Sequence, residues 1–189
     1  MTWRAIVMVE EESARLVVEG LARRLAIDHL LKVIPHEGKS DLERSIPRKI
    51  AGWRSPRAPR FVVARDGPAD ARDALKAKLM ALVPEPARSR TRIRIVVHEL
   101  ESWFLGDPTA LVAAGLATSA NAERKAHKLA KRNLCILSNP VQELHKIVGE
   151  RGKIGLARAI APHLDPMRNA AASFAPFVAA LRWAAEEKI

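Results

Sequence analysis

Five acids, Glu10, Asp66, Asp70, Glu99 and Glu101, stand out because of what precedes them. Glu10 follows the apolar run Ala5–Val9, Asp66 follows residues 61–64, and Glu99 and Glu101 follow residues 92–98. Each run has the length and the Ile and Val content of a short buried strand. In an open sheet of parallel strands, sites form outside the carboxyl ends. Three strand ends would then each deliver a carboxylate to one edge. Carboxylates gathered in this way repel unless a divalent cation neutralises them, and hard oxygen donors suit Mg2+ or Mn2+. Such a cation polarises a phosphoryl oxygen, which makes phosphate chemistry the natural expectation. Glu10, Asp66, Asp70 and Glu101 are the catalytic candidates, and with Glu99 they are the metal-ligand candidates. The alternative for Glu10 to Glu12 and for Asp70 is a helix start, where an acid complements the macrodipole.

The elements that must position these acids follow an alternation. Residues 5–9, 30–34, 61–64 and 92–98 read as strands, with helices from Ser13 and over residues 69–83. Residues 36–59, broken by Gly, Ser and Pro, read as a long surface loop holding a short helix. Strand and helix in turn predict an α/β fold with a mostly parallel four-stranded sheet and crossover helices. After Pro108 the strand patterns stop. Residues 109–114, 122–133, 140–148, 153–163 and 173–187 read as helices, the last with a buried stripe of Phe174, Phe177, Val178 and Leu181. The expected division is an α/β core over 1–108 and a helical extension over 109–189 packed beside it, with no Gly/Ser linker between.

Charge narrows the partner. The 189 residues carry 32 Lys and Arg against 21 Asp and Glu, a net +11. That surplus favours nucleic acid first and an anionic membrane surface second. Arg124, Lys125, Lys128, Lys131 and Arg132 recur at helical spacing opposite Ala126, Leu129 and Leu134, and they are the candidate phosphate-tracking face. A solvated helix face is the alternative. Arg88, Arg90, Arg92 and Arg94 alternate, so one strand would point all four the same way. With four Trp, four Phe and no Tyr, base stacking has little to work with. Trp103 reads as a packing anchor. The single cysteine, Cys135, excludes a disulfide framework. No stretch nears the roughly 18 apolar residues of a membrane span, and Glu10 to Glu12 interrupt anything like a signal peptide. The expected compartment is the cytoplasm.

The segments VEEES, RDGPAD and HELESWFLGD, each set at a strand end, resemble a TOPRIM-like bacterial family of unknown function related in layout to OLD-type nucleases. The resemblance implies a TOPRIM fold in which Glu10 is a general acid/base or metal ligand. It also implies that Asp66 opens a D-x-D motif holding Mg2+ for phosphodiester cleavage. Pro68 stands at the second acidic position of that motif and offers no metal-binding atom; Asp70 or Glu101 would supply the replacement. Members of such families tend to be encoded beside ABC- or OLD-like ATPases, often in defence or repair settings. Two readings follow. One is a metal-dependent, nuclease-like enzyme of nucleic acid. The other is a catalytically degenerate subunit that binds nucleic acid or a partner ATPase.

Overall fold

Ala5, Ile6, Val7, Met8 and Val9 of strand β1 (Ala5–Val9) are all buried. Successive side chains of a strand point to opposite faces, so a strand buried throughout needs cover on both sides. The computed structural model, which describes residues 3–54 and 58–187, supplies that cover. Four parallel strands lie in the order β2-β1-β3-β4, with β2 Leu31–Pro35, β3 Arg60–Gly67 and β4 Thr91–Val97. Helices α1 (Glu12–Arg24), α2 (Lys39–Gly52) and α3 (Arg72–Ala81) make the crossovers.

On one face, Ile6, Met8, Phe61, Val63, Ile93 and Ile95 pack under Leu42, Ile46 and Ile50 of α2 and Leu79 of α3. On the other, Val7, Val9, Val62 and Ala64 meet Val17 and Leu21 of α1. The same cluster runs on into α4 (Glu101–Leu105), α5 (Pro108–Ala113), α6 (Ala120–Ala130), α7 (Pro140–Val148), α8 (Lys153–Ile160) and α9 (Phe174–Ala185). The late helices therefore share an apolar core with the sheet. Among the described residues no helix is long and apolar enough to cross a membrane.

Several elements differ from the expectation. Residues 39–52 form one helix that continues past Pro47, because Leu42, Ile46 and Ile50 at i, i+4 and i+8 give it a buried face. Ser55, Pro56 and Arg57 of the expected loop lie outside the described residues. Strand β3 reaches Gly67, so Asp66 is on the strand and not after it. Arg88 and Arg90 belong to a 3-10 turn over Glu85–Arg90, which breaks the expected row of four arginines. Arg92 instead stacks over Trp183 at 4.1 Å, and the Arg94 Nε donates to the Pro176 carbonyl. The basic helix α6 stops at Ala130, leaving Lys131 as its C-cap and Arg132 in the next turn.

Candidate functional site

The carboxyl edge of the sheet is built by the ends of β1, β3 and β4. Val9 pairs with Ala64, which brings Glu10 alongside Asp66, and the Asp66 backbone N–H donates to the Glu10 carboxylate at 3.2 Å. Two bonds pin the end of β1. The buried His36 donates from Nδ1 to the Val9 carbonyl at 2.8 Å, and the Gly38 N–H donates to the Glu10 carbonyl at 2.9 Å. His36 Nε2 in turn faces the Lys49 ammonium at 2.9 Å, so the imidazole accepts there and burial holds it neutral. His36 is a structural clamp.

Past β4 the chain reverses at His98, whose φ of 63° lies in the left-handed region that few residues other than glycine enter and that Asn, Asp and His enter more readily than most. Its N–H donates to the Gly67 carbonyl and its Nε2 meets the Cys135 carbonyl at 2.5 Å. That turn sends Glu101 inward at the start of α4, where it is 3% exposed. Trp103 anchors the same helix. Its indole N–H donates to Ser173 Oγ at 2.9 Å, and its ring packs on Phe174 and Phe177. Asp107 is fully buried and holds the far end. It caps α5 through the Ala110 N–H, accepts from the Asp165 N–H, and takes two bonds from the Arg168 guanidinium.

The electrostatics follow from burial. Asp66 is pushed up to about 8 by desolvation first, then by the charges of Glu10, Glu101 and Glu11, against the pull of Lys153. Burial also raises Glu10, opposed by the Asp66 N–H and by Lys39. Glu101 is raised by burial and relieved by Lys153. One of its oxygens, Oε2, has no hydrogen-bond partner among the described residues.

Lys153, from the first turn of α8, is the residue that sequence reasoning missed. Its Nζ lies 2.5 Å from Glu11 Oε1 and 3.8 Å from Glu101 Oε2. Burial works against its charge, but Glu101, Glu11 and Asp66 together hold it above the ordinary lysine range. Packing delivers it. Gly20 on α1 faces Ala161 at the end of α8 so closely that a Cβ there would sit 2.7 Å from the Ala161 carbonyl oxygen. With Glu11 meeting Lys153 at the other end, the two helices run side by side in the same direction.

The structure thus brings Glu10, Glu11, Asp66, Glu101 and Lys153 together. Asp70 is exposed in the turn after β3, and no contact of it with the other acids is seen among the described residues. Glu99 lines a neighbouring cleft of about 290 Å³ with Lys39, Pro68, His98, Ser138 and Asn139. Among the described residues no three His, Cys, Asp or Glu side chains stand ready to chelate a metal. The donor set still suits one hard cation. Mg2+ commonly takes only one or two carboxylates and keeps waters and phosphate oxygens for the rest. A cation would also offset the charge that burial makes costly on Glu10 and Asp66. On α6, Arg124 and Lys128 are exposed and line an open groove with His127 and Lys131, while Lys125 is half-buried and reaches the Lys146 carbonyl.

An all-parallel β2-β1-β3-β4 sheet with helices as crossovers makes this an α/β protein with acids gathered at the carboxyl edge of its sheet. Two solved structures share this fold. The C-terminal region of the Burkholderia pseudomallei OLD protein is 20% identical with a TM-score of 0.59, over 98% of this chain and 100% of that one. The C-terminal region of the Xanthomonas campestris pv. campestris OLD protein is 16% identical with a TM-score of 0.57, over 97% and 96%. Among curated proteins none matches in sequence. Residues 41–182 match the family described as a domain of unknown function, DUF4276, and the chain belongs to that family.

Proposed function

We propose that the chain is a Mg2+- or Mn2+-dependent enzyme that cleaves phosphodiester bonds in nucleic acid in the cytoplasm. Residues 1–108 form its α/β core, and 109–189 are the extension that supplies Lys153. The observation that carries this is the Glu10–Asp66 pair, two acids held edge to edge in a place where burial opposes their charge. Glu10 and Asp66 would hold the cation, and Glu10, the less buried of the two, would serve as ligand or as general base toward a water. A cation bound there would supply Lewis-acid polarisation of a phosphoryl oxygen. Glu101 and Lys153 set the charge on the opposite side. Asp70, exposed in the turn after β3, and Glu99, on the neighbouring cleft, are the further acids that would serve the cation. Arg124, Lys125, Lys128, Lys131 and Arg132 hold the polyanion backbone. The fold shared with the OLD C-terminal regions supports the reading.

A second reading has its own observation. Pro68 offers no donor and Asp70 turns outward, as expected of a degenerate subunit that binds nucleic acid or an ABC- or OLD-like ATPase. Incubation of plasmid and single-stranded DNA or RNA with Mn2+ and with Mg2+ separates the two. The enzyme reading expects slow Mn2+-dependent cleavage, lost in Glu10→Gln and in Asp66→Asn with the fold retained. No cleavage with either metal, with or without an ATPase encoded alongside, would leave the binding subunit as the account.

A further inference from the structure

We infer that the 3-10 turn Leu134–Ile136 is a wedge for nucleic acid: Ile136 enters between the last paired bases of a duplex, and one parted strand continues into the cleft beyond the turn. This rests on the nucleic-acid reading above and adds the form in which the strand arrives.

Ile136 is 74% exposed, although Leu134 and Leu137 on either side are buried. Those two anchors hold the turn against the core and leave the isoleucine outside it. Hydrogen bonds fix the turn as well. The Cys135 N–H donates to Asn133 Oδ1 at 3.0 Å, and the Ile136 N–H donates to the Asn133 carbonyl at 3.3 Å. The Cys135 carbonyl accepts from His98 Nε2, which ties the turn to the end of β4. A β-branched side chain has few rotamers, so Ile136 stands as a stiff apolar projection on a fixed base. A single exposed isoleucine is ordinary on a protein surface. Its surroundings are what give this one a use.

The turn joins two polar surfaces. Before it come Arg124, Lys128, Lys131 and Arg132, exposed along α6 and just after it. After it, Ser138 and Asn139 line the cleft of about 290 Å³ together with Lys39, Pro68 and Glu99. Ser138 is two residues from Ile136, about 7 Å of chain at most. Lys39 is near enough to Glu10 to favour its charge, which sets the cleft beside the acidic pair. A space of that size matches the smallest ligand pockets and takes one sugar with its phosphate or base. A duplex is too wide for it, so a strand has to be single where it enters. Apolar side chains inserted between base steps unstack them. Ile136 is the apolar group that stands where this opening is needed, with the basic residues of α6 placed to hold the paired part.

The test reads strand opening rather than cleavage and is run without divalent metal. A blunt duplex, a forked duplex with unpaired arms and a single strand each carry a fluorescent adenine analogue that brightens when unstacked, placed at the last pair in the duplexes. Each is titrated with the wild-type chain, Ile136→Ala and Ile136→Leu, whose folds are compared by circular dichroism. The wild type and Ile136→Leu should brighten the blunt duplex. Ile136→Ala should not, and should bind it about tenfold more weakly, the loss of one apolar insertion. The forked duplex and the single strand should be bound equally by all three, since no pair has to open. Equal brightening and affinity for Ile136→Ala and the wild type on the blunt duplex would overturn the wedge and leave the nucleic-acid reading standing. So would a wild type that binds the blunt duplex without brightening it. An effect of Ile136→Ala confined to self-association in sedimentation would also overturn it, and make the turn a protein contact. A wild type that binds none of the three nucleic acids would remove the nucleic-acid reading and this inference together.

Discussion

The Asp66 backbone N–H donates to the Glu10 carboxylate at 3.2 Å, which ties two acids on neighbouring strands into one unit. The parallel register of β1 and β3, with Val9 opposite Ala64, sets their separation.

That unit has a pH signature. Asp66 titrates near 8 in the folded chain against an ordinary 3.8, so between those values the folded state keeps a proton that the unfolded chain has lost. Stability then falls as pH rises through this window and levels off above about 8. Glu10 and Glu101, both raised, add to the same slope. Asp66→Asn should flatten it and raise the midpoint at pH 8, by roughly 2–4 °C for each kcal/mol recovered. Thermal melts from pH 5 to about 9 read this directly. An unchanged slope in Asp66→Asn would show that Asp66 is not the titrating group. Mn2+ should protect the wild type more above pH 8 than near pH 6, since it needs the deprotonated pair.

Asp107→Ala tests the scaffold behind α4. The carboxylate is wholly buried and satisfies the N–H groups of Ala110 and Asp165 along with the Arg168 guanidinium. Removing it strands the buried-side partners, the Asp165 N–H and most of the Arg168 guanidinium, at about 1–3 kcal/mol for each unsatisfied group, while the Ala110 N–H keeps the Asp107 carbonyl. A loss of about 3 kcal/mol or more in urea unfolding is expected. A loss under about 0.5 kcal/mol would mean the network is no stronger than a surface pair.

Gly20→Ala should act at a distance. The added methyl meets the Ala161 carbonyl, so α8 must shift along α1 and carry Lys153 away from Glu11 and Glu101. The variant should lose roughly 1–3 kcal/mol of stability through overpacking. Protection of Lys153 against acetylation should fall with it. A variant with wild-type stability and protection would show that the two helices are not locked here.

The basic helix makes an electrostatic prediction. Charge reversal at Arg124, Lys128 and Lys131 together should weaken nucleic-acid binding and flatten its dependence on salt, by roughly one unit of slope per phosphate contact removed. Fluorescence anisotropy at several salt concentrations measures both. The same affinity and slope as the wild type would leave this face merely solvated.

Pro68→Asp restores a carboxylate donor to the turn after β3. If that donor is what the site lacks, cleavage in Mg2+ should rise, because Mg2+ demands near-ideal octahedral coordination more strictly than Mn2+ does. Gain in neither metal would count against the enzyme reading.

What the sequence by itself determined is local. Runs such as Ala5–Val9 are strands because short apolar stretches rich in Ile and Val are buried on both faces, and the residue after such a run falls at a sheet edge. The place of Glu10 at the sheet edge was legible on that basis, as were the fold class and the packing role of Trp103. The helix Lys39–Gly52 had its signal in Leu42, Ile46 and Ile50, but Gly38, Pro47 and Gly52 read more loudly as breaks. The alternating arginines were mispositioned because β4 begins only at Thr91, and Asp66 lies on its strand because β3 runs three residues past Ala64. Lys153 had no local signal at all. It lies most of the chain away from Glu11, on a helix whose basic and apolar residues look ordinary. Only the close packing of α8 against α1, permitted by Gly20, decides that its ammonium ends among the acids, because ion pairing depends on distances that tertiary packing alone sets.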